Sequence, residues 1–393
     1  MLADLKIARK LSLLLVLPMA TFLFVVSAEN IQRWKTIDHL KAIERSLVVS
    51  LSAGELIHEL QKERGYTAGF LGSKGKRFSS ELAEQTDKSN SAYKNFTAVL
   101  AGADSLENDS LARIFAASTQ NFTDLSTTRN AARDARIDAL QAIAAYNISI
   151  NELIAAISEL NARADLAFTS IIQLLHGKEI AGQERATLNA AFSAGTFSKQ
   201  LYRDWLYRVS SQNTYLSSFA ELGGKAALNL LQSKMQPVDE EVTRFRDTAY
   251  ANLEKSSLEA DPQQWFAAST RRIDKLMEVE KAWGDQLLGN AREEVRLAQR
   301  SLLIAVSAAL LVAFFTILLG WRICITIGRP VRSTLRYAQG ITHGDFDSVL
   351  TVKQNDEIGG LADVLREMVT RLKEQIQTAQ QQHALADERG NLA

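Results

Sequence analysis

Two long apolar runs limit what this chain can fold into more than any other feature. The first covers residues 11–28 and the second covers residues 301–321, and neither contains Asp, Glu, Lys or Arg. As an α-helix, each run is long enough to cross a hydrocarbon core about 30 Å thick. The sequence therefore predicts two membrane-spanning helices at these positions.

The first run has a second interpretation. It follows Lys6, Arg9 and Lys10, as the apolar part of a cleaved signal peptide would. The run is long for that role, and a small-residue cleavage site is only weakly formed at Ser27 and Ala28. We therefore favour a membrane span and keep the signal peptide as the alternative.

Basic residues on the flanks predict how the chain is oriented. Residues 1–10 hold three basic residues against one acid, and Arg322, Arg329, Arg332 and Arg336 follow the second run. Positive charge near membrane spans marks the cytoplasmic side. We expect a cytoplasmic N-terminus at 1–10 and an outer domain at 29–300, which is periplasmic if the protein sits in a bacterial inner membrane. The single Cys, Cys324, lies outside that domain, which fits an oxidising outer compartment.

The outer domain is predicted to be helical throughout. The chain has only 4 Pro and 20 Gly, and only Pro237 and Pro262 lie between 29 and 300. Apolar residues recur there at helical spacing rather than alternating as in a strand. Two such stripes are Val49, Ala53, Leu56, Leu60 and Ile273, Leu276, Trp283, Leu287. We expect an all-α fold of about eight helices, arranged as two stacked four-helix bundles that share long helices.

The positions of Gly, Pro and small polar residues predict where these helices end. The expected breaks are 72–75, 101–104, 176–178, 194–195, 233–239 and 256–262. Trp205, Trp265 and Trp283 are expected to be core residues rather than a ligand cage.

A faint internal repeat supports two related halves. Lys62-Glu-Arg-Gly65 is followed by Phe78-Ser79, and Gln183-Glu-Arg-Ala186 is followed by Phe197-Ser198. The two Glu-Arg pairs are 121 residues apart (184 − 63). Chance remains the alternative for so few matched positions.

The same two segments carry a family resemblance. Leu56-Ile-His-Glu-Leu-Gln-Lys-Glu-Arg-Gly65 resembles the opening signature of the nitrate- and nitrite-sensing (NIT) domain. So does Gly182-Gln-Glu-Arg-Ala-Thr-Leu188, which leads to Phe192-Ser-Ala-Gly195. The resemblance implies an all-helical outer domain between two membrane spans of a bacterial receptor, over about residues 30–300.

The resemblance also implies where a small anion binds. Family members hold the anion with arginines from distant helices, and the motif matches carry this role to Arg64 and Arg185. Arg244 or Arg246 is a further expected contact. Some members have a second basic residue beside the first arginine. This chain has Glu63 there, with Lys62 one position earlier, so Lys62 is included among the expected ligand contacts. Arginine suits a planar anion because its guanidinium is flat, forked and always charged.

The segment after the second run resembles a HAMP domain, a parallel dimeric linker with two short helices per chain. The match covers 325–377 and includes Pro330, the Gly344-Asp-Phe346 connector and Asp356-Glu-Ile-Gly359. Ile358, Leu361, Leu365, Met368 and Leu372 then follow at near-heptad spacing. Residues 378–393 are predicted to form a helical tail, with no output domain within them. An amphipathic helix pair on the membrane surface is the alternative.

Composition excludes several other functions. Lys+Arg and Asp+Glu are both 45, and residues 29–300 hold 33 basic against 35 acidic residues. This balance argues against nucleic-acid binding through bulk basic charge, so an anion must be selected by a few placed arginines. We identify no catalytic constellation, no metal site and no cofactor motif, and His58 is not followed by a second His four residues later.

The sequence thus predicts a homodimeric, two-span bacterial sensor. It is expected to bind nitrate, nitrite or another small anion outside and to signal inward through HAMP to cytoplasmic partners, most simply as a chemoreceptor and not as an enzyme. The alternatives are a helical bimodular sensor for small organic acids and a non-sensing membrane scaffold. The sequence leaves open whether the site lies within one subunit or between two.

Overall fold

The computed structural model of the chain describes residues 7–103, 109–160, 166–251 and 260–390. Within these ranges the structure is helical and contains no strand, which confirms the predicted all-α class. The helices are α1 Ile7–Gly72, α2 Ser79–Ala103, α3 Asp109–Arg133, α4 Ala139–Leu160, α5 Leu166–Ala194, α6 Lys199–Ala251, α7 Pro262–Ile323, α8 Arg329–Thr342 and α9 Glu357–Gly390, with a π-helical turn at Cys324–Gly328.

Residues 36–298 form one compact unit, which we call the outer unit. Side-chain contacts divide it into two bundles that we name after their order in the chain. In bundle one, α1 contacts α3 and α4 through Glu63, which binds Arg129 and Tyr146. In bundle two, α5 contacts both parts of α6 through Glu184, which binds Trp205 and Arg246. Helix α7 completes bundle two, where Trp265 Nε1 donates to the Arg185 carbonyl at 2.9 Å.

Helix α6 supplies two helical segments because it is kinked at Gly224. Gly224 has φ 69° and ψ −161°, a backbone conformation that residues with a Cβ rarely adopt.

The predicted break at 233–239 was wrong, because this segment, including Pro237, lies inside α6. The break at 176–178 was also wrong, because Gly177 lies inside α5. A Cβ at Gly177 would come within 2.9 Å of the Leu216 side chain, so this glycine permits close helix packing rather than ending a helix.

Other helix ends follow the sequence prediction more closely. Helix α1 ends at Gly72, and α5 ends at Ala194 beside Gly195, whose φ is +66°. Residues 104–108, which follow α2, lie outside the described residues. Residues 252–259, which cover part of the predicted break before Pro262, lie outside the described residues. The break between α3 and α4 was not predicted. There Asp138 and Gln141 cap α4 reciprocally, each side chain accepting from the backbone N–H of the other.

The core of the outer unit is formed by the predicted apolar stripes. All eight stripe residues from Val49 to Leu287 are buried, as are Trp205, Trp265 and Trp283. Trp283 Nε1 donates to Ser170 Oγ at 2.8 Å, so its polar edge is satisfied inside the core. The three tryptophans are thus core residues, as predicted.

Residues 1–35 and 299–393 form the second compact unit. Its apolar side chains are widely exposed: Leu14 is 74% exposed, Phe24 75% and Ile304 69%. Such exposure is what a membrane-spanning helix would present to lipid. By length and hydropathy, the described helical stretches Leu13–Gly72, Ala139–Leu160 and Pro262–Thr342 could each cross a membrane.

The second of these stretches, α4, differs from the other two. Its apolar window is 39% buried, whereas the windows of the others are not buried at all. Tyr146, Ile150 and Ile154 of α4 are fully buried in the core of the outer unit. We therefore assign α4 to the protein core, and the two-span topology remains a prediction.

The predicted HAMP segment forms helices α8 and α9 with an extended connector between them. Leu350 and Val352 of the connector pack with Ala362 of α9. Asp356 Oδ1 caps α9 by accepting from the backbone N–H groups of Ile358 and Gly359. A Cβ at Gly359 would come within 1.7 Å of the Gln354 carbonyl oxygen, so only glycine fits this turn.

Candidate functional site

Two buried arginines meet where α1 and α5 cross. Arg64 and Arg185 are each 3% exposed. A Cβ at Gly182 of α5 would lie 2.7 Å from Arg64 Nη2, and a Cβ at Gly65 of α1 would lie 3.0 Å from Arg185 Nη2. Each guanidinium therefore rests against a glycine of the opposite helix, and the two glycines make this close approach possible. The structure thus brings together the two arginines predicted from the repeated Glu-Arg motif.

Arg64 is neutralised by a carboxylate. Its Nη1 lies 2.5 Å from Glu179 Oε1 and its Nη2 lies 3.3 Å from Glu179 Oε2, a forked pairing that matches the planar carboxylate. Glu179 also accepts from Gln61 Nε2 and Gln183 Nε2, each at 2.9 Å. Arg64 Nη1 additionally donates to Asn147 Oδ1 of α4. Four donor contacts hold the Glu179 side chain, which is only 2% exposed, in one position.

Arg185 has no carboxylate partner among the described residues. Its Nη1 donates to Thr270 Oγ1 at 2.9 Å, its Nη2 donates to the Gln61 carbonyl at 3.2 Å, and its guanidinium stacks 4.7 Å from the centre of the Phe266 ring. Burial, and then the positive charge of Arg64, lower the pKa of Arg185 to about 10. Arg185 is still charged at neutral pH. Among the described residues it makes no direct ion pair, and the carboxylates of Asp274 and Glu179 act on it only over a longer distance, which is a costly arrangement unless an anion joins it.

The other charged groups near the two arginines occur as pairs. Lys178 and Glu280 form a buried ion pair between α5 and α7. Lys62, one of the predicted site residues, lies at the edge, where its Nζ is 3.6 Å from Asp274 and its side chain is 26% exposed.

His58 is a further titratable group near the site. Burial, and then the positive charges of Lys178, Lys62 and Arg185, lower the pKa of His58 to about 2. His58 is therefore neutral at physiological pH and contributes no charge. Arg64 and Arg185 bring two positive charges and Glu179 brings one negative charge, so this part of the outer unit has a surplus of one positive charge.

The structure does not bring the other predicted arginines to this site. Arg246 binds Glu184 through Nε at 2.7 Å and Nη2 at 2.6 Å, so both oxygens of that carboxylate are used. The charge on Arg246 holds the pKa of the buried Glu184 below its ordinary value, although burial alone would raise it. Arg244 is exposed. We therefore correct the expectation of a third arginine contact: Arg246 is committed to a separate ion pair, and Arg244 faces solvent.

Sequence reasoning missed Glu179, Asn147 and Thr270. The repeat contains a signal for Glu179. The offset of 121 relates residue 58 to residue 179, so Glu179 occupies the position that His58 has in the first half. Asn147 and Thr270 lie on helices outside the repeated motif and had no local signal. Among the described residues, no group of three or more His, Cys, Asp or Glu side chains is placed to hold a metal ion.

Comparison with protein families identifies the two regions of the chain. The profile of the family described as nitrate and nitrite sensing matches residues 55–288, which is more than half of the chain and includes both arginines. The HAMP domain profile matches residues 326–374. The predicted boundaries of 325–377 for the HAMP segment lie within three residues of this match.

Two known proteins are also similar to this chain. The nitrate regulatory protein of Klebsiella oxytoca is 27% identical over 248 residues. The alignment spans 62% of this chain and 62% of the length of that relative. The structure of the NasR transcription antiterminator superimposes with a TM-score of 0.61 at 22% identity, covering 88% of this chain and 94% of that one. This second likeness supports the fold.

Proposed function

This chain belongs to the nitrate and nitrite sensing family, and we propose that it is a membrane-anchored receptor that binds nitrate or nitrite beside Arg185 and Arg64. The observation that supports this most is the unpaired charge of Arg185 in a site that already contains a neutralised arginine. Nitrate and nitrite are planar anions with one negative charge. Either would neutralise the surplus charge and could be held by guanidinium and amide donors.

We further propose how binding reaches the cytoplasm. The two apolar runs would anchor the chain in a bacterial inner membrane, with the outer unit in the periplasm. Thr270 and Phe266, which contact Arg185, lie on α7, and α7 runs from Pro262 to Ile323. An anion that changes the packing of α7 would favour one state of the HAMP segment over another, by no more than its difference in affinity for the two states.

The proposed receptor acts as a homodimer. Leu335 of α8 and Leu361 and Met368 of α9 are 59%, 53% and 42% exposed, respectively. These residues would be covered by the same helices of a second chain in a parallel HAMP bundle. A chemoreceptor is the simplest form of such a protein, with the cytoplasmic output provided outside the helices described above.

Calorimetry on the intact chain in detergent micelles tests the proposed ligand. We expect saturable binding of nitrate or nitrite and no binding of chloride or succinate. Arg64→Ala should abolish binding without loss of helicity. Arg185→Gln is the cleaner variant, because no described carboxylate depends on Arg185, and it should also abolish binding.

Arg244→Gln is the matched control, since Arg244 is an exposed arginine of the same domain. It should bind the anion as the wild type does. If the folded wild-type chain binds neither nitrate nor nitrite, the proposed function is excluded. Unchanged affinity in Arg185→Gln would remove Arg185 from the site.

A further inference from the structure

The two arginines occupy equivalent places in the repeat but have different neighbours. The offset of 121 residues relates Arg64 to Arg185, and it relates His58 to Glu179. Arg64 forms an ion pair with Glu179, whereas the matching position in the first half of the repeat holds His58, which is neutral. The repeat thus provides one carboxylate for two arginines. The surplus positive charge of the site follows from this single difference.

The surplus is one charge and not more. The nearby Lys178 and Lys62 lie beside Glu280 and Asp274, respectively, so neither adds to the sum. A bound anion with one negative charge would make the site neutral. An anion with two negative charges would leave one buried negative charge without a partner, which is strongly unfavourable in a buried site.

We propose that Glu179 is the residue that restricts this site to anions of a single negative charge. The proposal rests on the proposed function, namely that the arginine site binds nitrate or nitrite, and it adds what the site excludes: sulfate, hydrogen phosphate and dicarboxylates. Glu179 is suited to this role because four donor contacts from Arg64, Gln61 and Gln183 fix its carboxylate. The carboxylate of Glu179 therefore stays in a fixed position near an anion that approaches Arg185.

Titration of the intact chain in micelles with nitrate and with sulfate tests the proposal. The wild type should bind nitrate at least about tenfold more tightly than sulfate, because a dianion brings one negative charge more than the surplus positive charge of the site can neutralise. Glu179→Gln raises the surplus to two charges. Coulomb energy is proportional to ligand charge, so the gain in sulfate affinity should be about the square of the gain in nitrate affinity, for example about a hundredfold against about tenfold.

His58→Glu is the reciprocal variant. It adds a negative charge at residue 58, which Lys178, Lys62 and Arg185 reach electrostatically, removes the surplus charge and should abolish nitrate binding. The control is Glu221→Gln, which removes an exposed carboxylate of the outer unit. This control should change the ratio of nitrate to sulfate affinity by less than about twofold, because solvent and salt screen an exposed charge.

Three results would overturn the role of Glu179. They are equal affinity of the wild type for nitrate and sulfate, an unchanged affinity ratio in folded Glu179→Gln, and undiminished nitrate binding in folded His58→Glu. The first result needs no variant, so it tests the role of Glu179 even where a variant does not fold. A wild type that binds neither nitrate nor nitrite would instead refute the proposed function itself, and the two failures are thereby distinguished.

Discussion

The two bundles of the outer unit share one buried ion-pair arrangement. In bundle one, Arg129 binds Glu63 through Nε at 2.6 Å and Nη2 at 2.7 Å. In bundle two, Arg246 binds Glu184 through the same two nitrogens at 2.7 and 2.6 Å. In each case the glutamate precedes a site arginine, Arg64 or Arg185. The ion pair fixes the glutamate on one side of its helix, so the following arginine points to the crossing of α1 and α5.

The bundles differ in what surrounds the ion pair. In bundle one, Glu63 and Arg129 line a cavity of about 320 Å³ together with Thr67, Thr86 and Tyr146. In bundle two, aromatic side chains pack in the same cluster as the equivalent ion pair's partner Trp205. The rings of Phe192, Phe245 and Trp265 have centres 5.7–6.2 Å apart, and Trp205 packs against Phe197, Tyr202 and Tyr250. The ion pair therefore has the same geometry in both bundles, while the packing around it differs.

Removal of either arginine from these ion pairs should have the largest effect. Arg129→Met and Arg246→Met would each leave a buried glutamate without its cation, and we expect each to lower the free energy of unfolding by about 3–5 kcal/mol. Thermal and denaturant unfolding of the intact chain in micelles, followed by circular dichroism, would measure this loss.

Arg244→Met provides the control for this comparison. Arg244 lies two residues before Arg246 but is exposed, so its loss should cost less than about 0.5 kcal/mol. A loss confined to only one of the two ion pairs would break the proposed equivalence of the bundles.

The aromatic packing of bundle two should give the next effect. Trp205 is fully buried and its Nε1 lies 3.3 Å from Glu184 Oε1. Trp205→Ala should cost about 3–5 kcal/mol of unfolding free energy, because it removes a large side chain from a packed core. Thr86 is its counterpart in bundle one, at an offset of 119 residues, and donates to Glu63.

Thr86→Ala should cost only about 1 kcal/mol, because it removes one hydrogen bond beside an existing cavity. The same unfolding measurement on both variants compares the two bundles directly. Similar losses would show that the cavity of bundle one does not weaken the packing around its ion pair.

The sequence predicted the parts of this arrangement that depend on local patterns. Helical spacing of apolar residues identified the buried faces of α1 and α7, and the repeated Glu-Arg motif identified Arg64 and Arg185. These features repeat within a few residues, so one helix is enough to reveal them. Gly177 and Pro237 misled the prediction of helix ends, because glycine inside α5 meets a packing need and α6 continues through its proline.

The sequence did not predict which charges meet across helices. Arg246 was expected near Arg64, but it is bound by Glu184 from its own bundle. Arg64 is bound by Glu179, which lies 115 residues away in the chain. Partners at such separation are decided by how helices cross, and neither residue spacing nor composition contains that information.

The pH dependence of stability should give the smallest effect and tests the difference between His58 and its counterpart Glu179. In the folded chain the pKa of His58 is lowered to about 2, whereas in the unfolded chain it takes the ordinary value of about 6.5. Asp274 Oδ1 lies 3.5 Å from His58 Nε2, but its side chain is 44% exposed and the burial of His58 outweighs it. Between these two values only the unfolded chain binds a proton at His58. The contribution of His58 to the unfolding free energy is therefore fully present above pH 6.5 and is lost as the pH falls. At pH 5 this loss amounts to about 2 kcal/mol of unfolding free energy.

His58→Gln should remove that part of the pH dependence, whereas His39→Gln, at an exposed position of the same helix, should retain it. Equal slopes of unfolding free energy against pH in the wild type and His58→Gln would mean that the pKa of His58 in the folded chain stays near the ordinary value of about 6.5. His58 would then add a positive charge to the site at pH 5, and its contrast with the anionic Glu179 would hold only at higher pH.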